Sequence, residues 1–237
     1  MKKYFMLFLA FQIFPAASCF SEGLFKDKTV LTPKEIKERN QFASCRIDAQ
    51  KGNAQAMGVL GLMYEKGMGV PRDYSLAAQW LEKGAQKGDA PAQNNLGFLY
   101  LKGKGVKQNN ALALQWFQKS AAQGLASAQE NLGLVWGGGL GVKKDYEKAF
   151  GWFKKAAEQN DPEAQTNLAI MYSLGEGGPK NLIESHKWFS LALAQGAADE
   201  ELADLRDNIE WLEKRMKGSE IAEAKKRAAA WKPSKGK

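Results

Sequence analysis

The amino-acid sequence predicts an all-α solenoid of four 36-residue helix hairpins with capping helices at both ends. Three observations carry this expectation. The pairs Leu60-Gly61, Leu96-Gly97, Leu132-Gly133 and Leu168-Ala169 recur at intervals of 36 residues without a slip. Two aromatic columns keep the same interval, Tyr64, Tyr100, Trp136 and Tyr172 in one and Trp80, Trp116, Trp152 and Trp188 in the other. Glycine loops recur at Gly67-Met68-Gly69-Val70, Gly103-Lys104-Gly105-Val106 and Gly139-Leu140-Gly141-Val142, with a weaker copy at Gly175-Glu176-Gly177-Gly178. A fixed period of this length marks stacked units, none of which can bury its apolar face alone.

The chain opens with Lys2 and Lys3, an apolar run from Tyr4 to Ala17 and small residues before Cys19, the pattern of a secretory signal peptide over residues 1–18. A membrane span needs about 20 apolar residues, so the run reads as export to the periplasm or the medium. Cys19 is then either the lipidated first residue of an envelope-anchored protein or, after ordinary cleavage near Ser18, a disulfide partner for Cys45. Residues 19–52 hold an N-terminal segment and one capping helix, from Pro33 to Lys51, with Gly52 in the column of Gly88.

The repeats occupy residues 53–88, 89–124, 125–160 and 161–196. In the first, Ala56, Leu60, Met63 and Tyr64 share one face at helical spacing, which predicts an A helix over 54–66. Gly67 supplies a left-handed cap and the second glycine a sharp turn. Asp73, Asn109, Asp145 and Asn181 then stand where the N-cap of a B helix belongs, and that helix runs over 74–87 in the first repeat. Gly88, Gly124, Asn160 and Gly196 end the B helices, and Asp89 or Asp161-Pro162 introduces the next A helix. The small residue in column 61 lets two helices approach, so a larger side chain at Gly97 is expected to open the stack. The column 80 tryptophans are expected to fill the space between successive hairpins. Within 197–232, Leu202, Leu205, Ile209, Leu212 and Met216 form one stripe and Ile221, Ala224, Ala228 and Trp231 another, separated by Gly218. Both read as capping helices, and 233–237 as a disordered tail.

With 237 residues the chain can bury a core without disulfides or metals. One histidine and two cysteines leave little material for a metal site, a Cys-His pair or a Ser-His-Asp triad, so no cofactor, metal or catalytic residue is expected. The net charge of +8 falls to +6 without Lys2 and Lys3, and Leu205 to Lys237 carries ten Lys or Arg against five Asp or Glu. This basic excess reads as the solvated face of amphipathic helices, and export argues against nucleic acid as a partner.

These residues are similar to the Sel1-like repeat, a relative of the tetratricopeptide repeat. The shared pattern is A-x-x-x-L-G-x-x-Y-x-x-G-x-G-V, then D, A-x-x-W and a closing A-A-x-x-G, and residues 89–124 match it nearly throughout. The departures are Trp136 for tyrosine, Leu125 where a capping acid or amide belongs, and Ala169, Gly178 and Ser185 in the fourth copy, the most degenerate. The resemblance implies a right-handed solenoid whose concave surface, lined by the A helices, binds a protein or peptide partner.

Candidate binding residues follow from the variable columns. Columns 55, 58, 62 and 65 hold Asn94, Phe98 and Leu101 in the second repeat, Glu130 and Leu134 in the third, and Thr166 and Ile170 in the fourth. Beside them Asn95, Asn131 and Asn167 form a ladder in column 59 that can hydrogen-bond an extended peptide backbone. The alternatives are that the asparagines bond neighbouring helices within the stack and that column 62, Leu62 included, is plain core packing.

Other features point elsewhere. The glycine loops follow no strand and mark turn geometry, not a phosphate cradle. His186 stands in the column of Ala78, Leu114 and Phe150 and reads as a partly buried packing residue. Gly137-Gly138-Gly139 predicts either early fraying of the third A helix or a flexible aromatic platform at Trp136. The leading functional expectation is a non-enzymatic adaptor. The alternative is a cell-wall-associated β-lactam or glycan binder or weak hydrolase, although the secreted relatives linked to β-lactams carry a cysteine pair in every unit and this chain has none after Cys45.

Overall fold

The computed structural model describes residues 32–196 and 199–234. The expected leader over 1–18, Cys19 and the last three residues lie outside them. The chain divides into two units, Met1–Thr32 and Pro33–Lys237, and all eleven described helices belong to the second. No strand occurs among the described residues.

The helices are α1 (Pro33–Gln50), the hairpins α2 (Ala54–Lys66) with α3 (Tyr74–Gln86), α4 (Ala90–Lys102) with α5 (Asn110–Ala122), α6 (Ala126–Gly138) with α7 (Tyr146–Glu158) and α8 (Pro162–Leu174) with α9 (Leu182–Ala194), and the closing pair α10 (Asp199–Glu213) and α11 (Gly218–Ala230). Every hairpin helix has 13 residues, because the same caps recur. Asp73, Asn109, Asp145 and Asn181 each accept a backbone N–H from the first turn of their B helix. Asn53, Asp89 and Asp161 do the same for α2, α4 and α8, whereas Leu125 makes no such bond to α6.

Each hairpin closes on small residues. A Cβ on Gly97 would lie 2.9 Å from two ring carbons of Phe117 and 3.2 Å from the Ala113 carbonyl oxygen, so only a bare backbone lets α4 reach α5. Gly105 has φ +68° and seats against the Tyr74 carbonyl at the start of the preceding B helix, which locks each loop onto the unit before it. Column 78 reads Ala78, Leu114 and Phe150 along the chain. Gly178 stands where the other loops carry valine, and the Phe150 ring lies 2.8 Å from where its Cβ would be.

The column 80 tryptophans lie between units as expected. Trp80 packs on the Ala49, Met57 and Leu60 cluster, Trp116 on the Ala77 to Leu99 cluster and Trp152 on the Ala113 to Val135 cluster. Each of the three keeps one ring face under a lysine ammonium, Lys83, Lys119 and Lys155, at 4.1–4.2 Å. In the last repeat Trp188 is buried, with Trp231 edge-on to it at 5.8 Å.

The stack ends differently at its two sides. Helix α1 is a lone B-type helix, since Gly69 seats against the Glu38 carbonyl as Gly105 does against Tyr74. Where the repeats carry Ala77 and Gly84 against their own A helix, α1 carries the exposed polar residues Gln41 and Asp48. At the other end Leu205, Leu212, Met216 and Ala224 join the core of the last repeat. Gly218 is the first residue of α11, and Lys217 is its N-cap. Where the sequence predicts disorder from Pro233, Ser234 donates both its backbone N–H and its hydroxyl to the Glu158 carbonyl, at 2.7 and 2.9 Å. Helix α6 also runs its full length through Gly137 and Gly138 to a left-handed cap at Gly139, so the third A helix does not fray early.

Candidate functional site

Stacking decides which columns of the A helices stay open. Column 58 does not: a Cβ on Gly58 would lie 2.6 Å from Asp89 Oδ2 and 3.2 Å from Ala92 Cβ, at the start of the next A helix. In that column Asn94 and Glu130 are buried and Thr166 is half-buried, its hydroxyl donating to Pro162 O. In column 65, Leu101 is half-buried against the core shared by α5 and α6. The open face consists of columns 55, 59, 62 and 66, none of whose residues is buried.

Along that face Phe98 is half-buried while Leu134 and Ile170 are 42% and 36% exposed, so column 62 is a continuous apolar row starting at Leu62. Asn95, Asn131 and Asn167 flank it, each half-exposed, and Asn131 donates to Asn94 Oδ1 at 3.0 Å, across two successive A helices. The structure thus brings Asn95, Phe98, Asn131, Leu134, Asn167 and Ile170 together on one face. Column 66 lies outside the columns that the sequence marks as variable, yet it contributes exposed Lys66, Lys102 and Leu174 to the same face, and Val59 is 44% exposed there. The signal was present, since 55, 59, 62 and 66 are spaced four, three and four apart.

Glu130 has a different role from its neighbours. Burial, with the Glu163 and Asp161 carboxylates nearby, pushes its carboxyl up to about 8. A neutral acid is held between α6 and the start of α8.

Polar clasps hold the second, third and fourth hairpins behind this face. Gln123, Gln159 and Gln195 at the ends of the B helices donate to Gln93, Gln129 and Gln165 at 2.7–2.8 Å, and the Gln93 and Gln165 amides donate onward to Ala85 O and Ala157 O. These glutamines are spent on structure.

His186 is fully buried, not partly, and is hydrogen-bonded on both ring nitrogens: Ser190 Oγ lies 3.2 Å from Nδ1 and Glu213 Oε1 3.1 Å from Nε2. Hydrogen bonds from His186 and Lys225 hold the Glu213 carboxyl below its usual range. The arrangement fastens α10 and α11 to α9. Among the described residues no group of His, Cys, Asp and Glu could hold a metal ion, and no helix is long and apolar enough to cross a membrane. Cys45 is half-buried and donates to Ala56 O at 3.2 Å. A crevice of about 690 Å³ opens between the third and fourth loops, lined by Trp136, Tyr146, Lys143, Lys144 and Lys148 and the glycines at 175, 177 and 178. Lys148 in its wall lies 3.0 Å from Asp145 Oδ2 and over the Trp136 ring at 4.2 Å.

The Sel1 repeat family model matches residues 54–89, 90–125, 126–161 and 162–196, the four hairpins in turn. The chain belongs to the Sel1 repeat family. Among solved structures, this Sel1 repeat protein resembles a protective antigen of uropathogenic Escherichia coli with an SLR fold, at 30% identity and a TM-score of 0.69 over 79% of this chain and 40% of that one. It also resembles a Sel1 repeat protein of Oxalobacter formigenes, at 27% identity and a TM-score of 0.65 over 76% of this chain and 49% of that one. It therefore spans less than half the length of either. No curated protein sequence matches it. Sel1 repeat proteins generally mediate protein–protein interaction and are generally non-catalytic scaffolds.

Proposed function

We propose that this Sel1 repeat protein is an exported adaptor that holds a peptide or protein partner in the concave groove lined by α2, α4, α6 and α8. The observation that carries the reading is the row Leu62, Phe98, Leu134 and Ile170, one apolar residue per repeat left in contact with solvent. Single exposed apolar residues are ordinary, but an aligned series marks an interaction surface. Asn95, Asn131 and Asn167 run alongside and supply amides to a partner backbone. Export rests on the leader pattern at residues 1–18. The mature protein is placed in the periplasm or medium, or on the envelope through Cys19.

The test is a crosslinking pull-down from the native envelope and medium, comparing wild type with a Phe98→Ala, Leu134→Ala, Ile170→Ala variant of matched helicity. A protein enriched by the wild type and lost with the variant is the expected result. Enrichment indifferent to these residues removes the groove from the reading. Intact mass of the mature chain reports whether residues 1–18 are cleaved and whether Cys19 carries lipid.

A further inference from the structure

The two halves of the open face differ in chemistry. Column 66 reads Lys66, Lys102, Gly138 and Leu174 from the first repeat to the last. In the second repeat the Lys102 and Lys104 ammoniums lie 5.7 and 5.8 Å from the centre of the Phe98 ring, so two cations converge on the aromatic member of the apolar row. In the third and fourth repeats Leu134, Ile170 and Leu174 are 42%, 36% and 44% exposed. Leu140, 38% exposed, leans over Gly138, where the absent side chain leaves room for it. The lysines and the aromatic ring are confined to the first two repeats, beside Val59 and Leu62, and the last two repeats present an aliphatic pad.

Resting on the groove reading above, we propose that the occupant is an extended segment of a protein partner with acidic residues at one end and aliphatic residues at the other. The acidic end lies over Lys66, Lys102 and Lys104, and the aliphatic end over Leu134, Ile170 and Leu174. An extended chain fits better than a helix because its backbone N–H and C=O groups are free to pair with the amides of Asn95, Asn131 and Asn167, whereas those of a helix are already satisfied internally. Packed helices lie about 8–10 Å apart, and an extended chain in the polyproline II form advances about 3.1 Å per residue and turns every third side chain to the same side. The segment therefore needs an apolar side chain at about every third position to meet Leu62, Phe98, Leu134 and Ile170 in turn, and about ten residues to cross all four. Carboxylates at the cationic end are steered and held by charge that salt screens.

The test uses fluorescein-labelled twelve-residue peptides with leucine at every third position. One series carries glutamates in one half, a second has lysine in place of each glutamate, and each is made in both chain directions. Anisotropy titration against the full chain should show the acidic series binding at least tenfold tighter than the lysine series in one direction, with the preference shrinking between 50 and 500 mM salt. A Lys66→Glu, Lys102→Glu variant, both positions exposed and at helix ends, should reverse the preference, which loss of folding cannot do. A Leu174→Ser variant should weaken both series alike. If glutamate and lysine peptides bind equally and binding is lost on Phe98→Ala, Leu134→Ala substitution, the groove reading stands and the polarity is wrong. If no peptide binds, or binding ignores the groove substitutions, both readings fall.

Discussion

Asn131 on α6 donates its side-chain amide to Asn94 Oδ1 on α4 at 3.0 Å, so one rung of the expected partner-binding ladder is also a tie between repeats. The two asparagines of the second repeat are therefore separable by experiment. Asn94→Ala removes this tie and truncates a buried side chain, and should cost about 1 kcal/mol. Asn95→Ala, on the open face, should leave stability within about 0.5 kcal/mol of wild type and weaken partner binding. Urea unfolding of the two variants checks the first half and the anisotropy titration the second.

Gly97→Ala and Gly133→Ala should each destabilise by about 1–3 kcal/mol, because the added methyl meets the ring of Phe117 or Phe153 at 2.9 Å or less and neither ring can withdraw without opening the hairpin. The fourth repeat already carries Ala169 in this column, where Ser185 donates to its carbonyl at 2.8 Å. Ala169→Gly should bring no gain. Thermal unfolding followed by circular dichroism is the measurement.

Glu130 gives stability a pH dependence with a definite sign. Its carboxyl titrates at about 8 in the folded chain against 4.5 as an ordinary glutamate. Between those values the folded state holds a proton that the unfolded state has released, so stability falls as pH rises across that window, by at most about 1.4 kcal/mol per unit from this group. Glu130→Gln removes the dependence. Its advantage over wild type should be near zero at pH 5, grow through neutrality and level off above pH 8 in urea unfolding.

Trp231 covers Trp188 and leads the chain to the Ser234 contact with Glu158. Trp231→Ala should cost about 2–3 kcal/mol and raise hydrogen exchange first in α9 and α11, since the end of a solenoid unzips locally. Equal loss of protection in α2 and α3 would show that the stack melts as one unit and not from this end.

The period, the bounds of the hairpin helices to within one residue and most of their N-caps were legible in the sequence, because a cap is a local contract between one side chain and a backbone N–H two or three residues on. Asn95, Phe98, Leu134, Asn167 and Ile170, singled out from their columns, are exposed or half-exposed on the A helices. Only the tertiary structure decided that Asn94 and Glu130 are buried while Lys66, Lys102 and Leu174 are exposed. Columns 58 and 59 lie one residue apart on the same helix, about 100° around it, and which of them turns to solvent depends on where the next A helix crosses, a fact that no single repeat contains. Polar residues in column 58 looked like surface for that reason. His186 likewise read as packing until α10 brought Glu213 to its Nε2, a partner 27 residues away that no local pattern predicts.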